Sequence, residues 1–84
     1  MVELTVRYFA GARAAAGVPD ESVALPGGAT VAAALAAVEA KHGERLGRVL
    51  AACSFLLDGV AVRDRSTPVS PGALLDVLPP FAGG

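Results

Sequence analysis

Thr30-Val31-Ala32-Ala33-Ala34-Leu35-Ala36-Ala37-Val38-Glu39-Ala40-Lys41-His42-Gly43 is the longest stretch of this sequence with helical periodicity. Thr30 can accept a hydrogen bond from an unpaired amide of the first turn, after which Val31, Leu35, Val38 and His42 recur at helical spacing. Lys41 and His42 fall in the last turn, where cations complement the helix dipole, and Gly43 is suited to ending the helix. The alanines between the larger residues let such a helix lie close to a sheet. His42 reads as a capping side chain rather than a base or a ligand.

Short strands flank this helix on both sides. Glu3 to Tyr8 alternates polar and apolar, with Leu4, Val6 and Tyr8 on one face, and Glu21 to Leu25 puts Val23 and Leu25 inward before Pro26-Gly27-Gly28 breaks the pattern. Ala12 to Ala16, closed by Gly17, is long enough for a single helical turn. On the other side, Ser54 to Leu57, Asp58-Gly59 and Val60 to Val62 read as strand, turn and strand, because Asp-Gly readily takes the positive φ of a type I′ turn. Ala73 to Leu78 is the last strand, after the Ser70-Pro71-Gly72 turn. The order predicts an α+β fold of the β-grasp, ubiquitin-like kind, a mixed sheet of about five strands packed on one main helix.

Composition excludes much. Eighty-four residues make one small domain, and the 54% hydrophobic fraction leans heavily on alanine, so an internal catalytic cavity is not expected. The net charge of −1 and the scattered arginines leave no stripe for nucleic acid. A single Cys53 forms no internal disulfide, and one Cys with one His completes no metal site. Cys53, beside Ala51, Ala52 and Phe55, reads as a small core residue. Arg63-Asp64-Arg65 reads as a solvated loop. Neither a signal peptide nor a membrane span is indicated, and a soluble, cytoplasmic protein is the expectation. No nucleophile-and-base set, phosphate-binding glycine loop or carboxylate pair can be assembled.

What stands out is the end of the chain, Leu78-Pro79-Pro80-Phe81-Ala82-Gly83-Gly84. Prolines lack an amide hydrogen, so Pro79-Pro80 stops the strand ladder and projects a stiff spacer. Phe81 is an aromatic beyond the sheet, available to a partner, while Gly83-Gly84 has no side chains to obstruct a narrow foreign active site. The chain thus divides into a β-grasp domain, 1–78, and an extended tail, 79–84, that offers the Gly84 carboxylate as a substrate. Alternation along the strands turns Leu75 and Val77 inward and Asp76 and Leu78 outward, with Leu56 exposed. Leu56, Leu78 and Phe81 then form an apolar patch leading into the tail.

This ending resembles that of the MoaD/ThiS-type ubiquitin-like sulfur carriers, most of all the small subunits of molybdopterin synthase. Tyr8-Phe9-Ala10, the Ala12 to Gly17 turn, the Thr30-capped helix and the Ser70 to Gly72 turn are also similar, so the resemblance spans the chain. It implies that an E1-like enzyme, using ATP and magnesium, adenylates Gly84 and that a sulfur donor converts it to a thiocarboxylate. Gly83, Ala82, Phe81, Pro80 and Pro79 then deliver the sulfur into a large synthase subunit, within a heterotetramer, to a pyranopterin precursor of the molybdenum cofactor. The chain itself would bind no cofactor and would not be an enzyme alone. Carriers for cysteine or thiamine synthesis and ubiquitin-like protein modifiers share much of this pattern and stand as alternatives.

Overall fold

The computed structural model describes residues 1–80. The chain runs β1 (Val2–Tyr8), α1 (Ala10–Ala16), β2 (Asp20–Leu25), α2 (Val31–His42), α3 (Glu44–Ala52), β3 (Ser54–Leu57), β4 (Val60–Ala61) and β5 (Leu74–Leu78). The strands form one mixed sheet in the order β2-β1-β5-β3-β4. The last strand therefore sits at the centre, parallel to β1 and antiparallel to β3. This is the β-grasp architecture that the sequence predicts.

Alternation along the strands builds the floor of the core. Leu4, Val6 and Tyr8 of β1, Phe55 of β3 and Leu75 and Val77 of β5 are all buried on one face. Onto it α2 lowers Val31, Ala34, Leu35 and Val38. Ala34 is fully enclosed, so a larger side chain there would push the helix off the sheet. At the start of α2 the Ala33 amide donates to Thr30 Oγ1 at 3.3 Å, the cap expected from the sequence. The Val31 and Ala32 amides donate to the carbonyls of Thr67 and Arg65, each at 2.9 Å. The connection from β4 to β5 thus satisfies amides that no helix can satisfy for itself. Arg63-Asp64-Arg65 is exposed, but it is more than a solvated loop. Asp64 accepts from the Ser66 amide and hydroxyl at 2.9 and 2.6 Å, and the Arg65 guanidinium lies 4.9 Å from the Phe55 ring centre.

Two elements differ from expectation. Glu44–Ala52 is a third helix where the sequence suggested one main helix, and its Leu46 and Leu50 close the far end of the core. Gly43, at φ 97°, ends α2 and begins α3, a joint that a residue with a side chain would strain. α1 runs seven residues instead of a single turn, ending as expected at a left-handed Gly17. Between β3 and β4, Asp58 and Gly59 take φ of 50° and 83°, the pair of positive values that a type I′ turn requires. Asp58 also fastens this hairpin to β5, its amide donating to the Leu74 carbonyl at 2.8 Å and its carboxylate accepting the Leu74 amide at 2.9 Å.

His42 does not act as a simple cap. Its Nε2 lies 2.5 Å from Glu21 Oε2, and its ring meets Tyr8 edge-on at 6.2 Å. The same carboxylate accepts from the Tyr8 hydroxyl at 2.6 Å and Lys41 Nζ at 2.7 Å. Glu21 thus ties the outermost strand, β2, to β1 and to the end of α2. Burial pushes the Glu21 pKa up, but hydrogen bonds from Lys41, Tyr8 and His42 outweigh it and leave the pKa below its ordinary value. Burial, with Glu21 alongside, drives the Tyr8 pKa far upward. Cys53 is half-buried, and burial raises its thiol pKa against a smaller opposing pull from Arg65, in keeping with a packing role.

A carboxyl whose folded pKa is depressed contributes stability above its unfolded pKa and loses it as pH falls through the folded value. Glu21→Gln should therefore cost about 1–3 kcal/mol at neutral pH, as for a hydrogen-bonded charged group. The difference between the melting curves of the two proteins should shrink as pH falls below the ordinary glutamate range and the Glu21 carboxylate takes up its proton. A difference that stays constant with pH would show that the charge is not what fastens β2.

Candidate functional site

The site is assembled around the end of β5. That strand lies between β1 and β3, with Val77 beside Tyr8 and Leu78 opposite Ser54. The Phe9 amide donates to the Val77 carbonyl at 3.2 Å, which draws the chain after β1 alongside the strand's end. β5 stops at Leu78, and Pro79 and Pro80 are exposed and outside the ladder. Phe81, Ala82, Gly83 and Gly84, to which the sequence assigns delivery and the reacting carboxylate, lie outside the described residues.

On the sheet face turned away from the helices, Leu56 of β3 and Leu74 and Leu78 of β5 are half-buried. Leu56 stands opposite Asp76, one step along the face from Leu78. The expectation of an exposed Leu56 is corrected to a half-buried one, because neighbouring side chains crowd it. Asp76 needs a larger correction. It does point outward, yet it is 7% exposed, because Arg7 lies over it with Nε and Nη2 donating to the two carboxylate oxygens at 2.6 and 3.0 Å. That fork requires the parallel register setting Arg7 beside Asp76. Hydrogen bonding to Asp76 raises the Arg7 pKa further, so the guanidinium stays charged at every ordinary pH.

Phe9 is the residue that sequence reading missed as part of this surface. It is 38% exposed, with the Arg7 guanidinium 5.8 Å from its ring centre. Extending the alternation of β1 by one position would have placed it on the outer face beside Leu78. An apolar strip from Phe9 through Leu78 to Leu56 thus surrounds a neutralised ion pair where the chain leaves the sheet. A cleft lies elsewhere, along α1 between Ala10, Arg13 and Pro19. Among the described residues no group of His, Cys, Asp and Glu could hold a metal ion, and no helix is long and apolar enough to cross a membrane. The strip is apolar apart from the Arg7 and Asp76 pair and Ser54 opposite Leu78.

Comparison with known proteins gives a consistent relationship. The ThiS family model matches residues 6–84. A Pyrococcus furiosus protein assigned as molybdopterin converting factor subunit 1 superposes with a TM-score of 0.87 at 27% identity, covering 96% of this chain and 100% of that one. Small archaeal modifier protein 1 of H. volcanii gives 0.85 at 26% identity, with the same shares covered. In a complex of subunits 1 and 2 of the molybdopterin-converting factor from Helicobacter pylori 26695, the matching chain shares the fold. There the TM-score is 0.71 at 22% identity, over 99% of this chain and 100% of that one. No curated protein matches the chain by sequence.

The surface can be tested apart from the tail. Leu78→Asp, opposite the small Ser54, and Leu56→Thr should each weaken binding of a protein that docks on this strip about tenfold or more, the cost of a central apolar contact. Circular dichroism should remain that of the wild type. Leu56→Asp is a poorer probe, since it would set a second carboxylate opposite Asp76 and disturb the Arg7 fork. Unchanged affinity in titration calorimetry would remove this strip from the interface.

Proposed function

The chain belongs to the ThiS family, and from that premise we propose that it is the sulfur-carrying small subunit of a molybdopterin synthase, with Gly84 as the carrier residue. The observation behind this reading is the whole-chain likeness to molybdopterin converting factor subunit 1, in a chain whose Pro79-Pro80 spacer leads to Gly83-Gly84. A carboxylate is a poor electrophile until one oxygen becomes a leaving group. An E1-like enzyme supplies that by joining the Gly84 carboxylate to AMP from magnesium-bound ATP, with release of pyrophosphate. Attack by sulfide-level sulfur then expels AMP and a proton and leaves a thiocarboxylate. With a persulfide donor, the acyl disulfide first formed is cleaved to the thiocarboxylate by a thiol, which leaves as a disulfide with the donor.

In the large subunit that thiocarboxylate is the nucleophile toward the pyranopterin precursor. The partner provides the remaining chemistry, because this chain contributes position and sulfur only. The apolar strip around Leu78 and Leu56 docks the body, and glycines at 83 and 84 fit a channel shaped for backbone. The similarly close likeness to small archaeal modifier protein 1 favours a second reading, in which Gly84 is joined to lysines of target proteins. Sulfur carriage for cysteine or thiamine synthesis shares the activation step and differs in the acceptor.

With the E1-like enzyme, ATP and a sulfur source, the intact mass should rise by the difference between a sulfur and an oxygen atom, localised to Gly84. Deleting Gly84, or adding a residue after it, should abolish that shift without changing the fold. Gly83→Val should cut transfer by more than about tenfold, because a β-branched residue narrows the accessible backbone and meets the channel wall. Conversion of the pterin by the loaded chain and the large subunit would support the first reading. Isopeptide conjugates in place of pterin conversion would support the second, and sulfur on Cys53 would defeat both.

A further inference from the structure

β2 is one of the two outer strands of the sheet, and this edge strand carries two carboxylates, Asp20 and Glu21, but no bulge and no covering basic or proline residue of its own. Its six residues match β1 without a bulge, from Val2 opposite Leu25 to Arg7 opposite Asp20. The Tyr8 amide donates to the Pro19 carbonyl at 2.8 Å, whereas the Thr5 amide donates away from β2, to Ala73, at 2.9 Å. Amide and carbonyl of one residue point to the same side in an antiparallel ladder, so those of Glu21, Val23 and Leu25 face β1. Those of Asp20, Ser22 and Ala24 face outward, and these three residues are exposed. Within β2 there is no proline, lysine or arginine to blunt that edge. The opposite edge strand, β4, is only two residues long.

We propose that the chain self-associates through this edge, β2 pairing antiparallel with β2 of a second copy about a twofold axis at Ser22. In that register Ser22 meets Ser22, and Asp20 of each copy meets Ala24 of the other. Every free amide and carbonyl of the three residues then finds a partner. The charge pattern selects the arrangement. A parallel pairing in register would stack Asp20 on Asp20 and Glu21 on Glu21, while the antiparallel one sets Asp20 against Ala24 and Glu21 against Val23. Small side chains at 22 and 24 leave the approach open. The result is an isologous dimer with one continuous sheet. Since β1 separates β2 from β5, the end of β5 and the strip around Leu78 stay uncovered. The contact is small, so the dimer is weak and concentration dependent.

Sedimentation velocity over a series from micromolar to millimolar tests this on the full chain. The wild type should shift from monomer to dimer with concentration. Ser22→Lys sets two ammonium groups against each other across the axis and should weaken the dimer about three- to tenfold. Ala24→Lys sets each ammonium against Asp20 of the other copy and should tighten it by a similar factor. Ala24→Pro removes an outward donor without touching the β1 ladder and should weaken it about tenfold or more. A chain that stays monomeric throughout would overturn the proposal, as would Ser22→Lys and Ala24→Lys acting in the same direction. Unfolding by Ala24→Pro would show that this amide is not on a free edge, and would overturn it equally.

Discussion

Everything in this molecule depends on the insertion of β5 between β1 and β3. Leu75 and Val77 are completely buried there, so neither the sheet nor the core is finished until the final strand is in place. The β1 and β5 pairing joins segments almost a whole chain length apart, a contact that costs loop-closure entropy before it returns any burial. Because the last strand is central, the chain leaves the sheet from its middle, flanked by Phe9 on one side and Ser54 on the other. A tail that starts there is presented only by a molecule whose fold is complete.

Local chemistry made much of this readable from the sequence. Thr30 caps α2, Asp58 and Gly59 make the primed turn, and the inward residues of β1 and β5 lie where alternation puts them, because each depends on near neighbours alone. α3 was legible and overlooked: Leu46, Val49 and Leu50 recur at i, i+3 and i+4 among Glu44, Arg45 and Arg48, the spacing of a half-buried helix, with Gly47 the one helix-weakening residue inside it. Contacts between distant segments, by contrast, were invisible. Nothing local announces that Arg7 covers Asp76, that Arg65 reaches both Phe55 and the start of α2, or that Glu21 gathers Tyr8, Lys41 and His42. The Pro79 to Gly84 ending is legible as chemistry in the sequence, while its last four residues lie outside the described ones.

The partly buried titratable groups Glu21, His42 and Cys53 are held by structure. The Glu21 carboxylate is engaged by three donors, and the imidazole that might have served as a base is held against it with its side chain only 14% exposed. The Cys53 thiol is pushed away from the reactive thiolate by its surroundings. Under the proposed function, a body arranged in this way offers little to compete with the terminus for an activating enzyme, and it is recognised over a surface while the reacting group lies in another protein's active site.

The Arg7 and Asp76 pair explains how a surface with charge at its centre can still suit an apolar partner. Desolvating a lone carboxylate in an interface is expensive, and an uncompensated Asp76 there would oppose docking. Here most of that desolvation has already taken place on folding, since the Asp76 side chain is 10% exposed and both its oxygens are held by the Arg7 fork. The guanidinium keeps 45% of its side-chain exposure and turns toward Phe9, so the group left for a partner to cover is the weakly hydrated one. The pair need add little to stability to be useful. It fixes the β1 and β5 register on the outer face and leaves the leucines around the chain's exit in an environment that a partner can bury at small electrostatic cost.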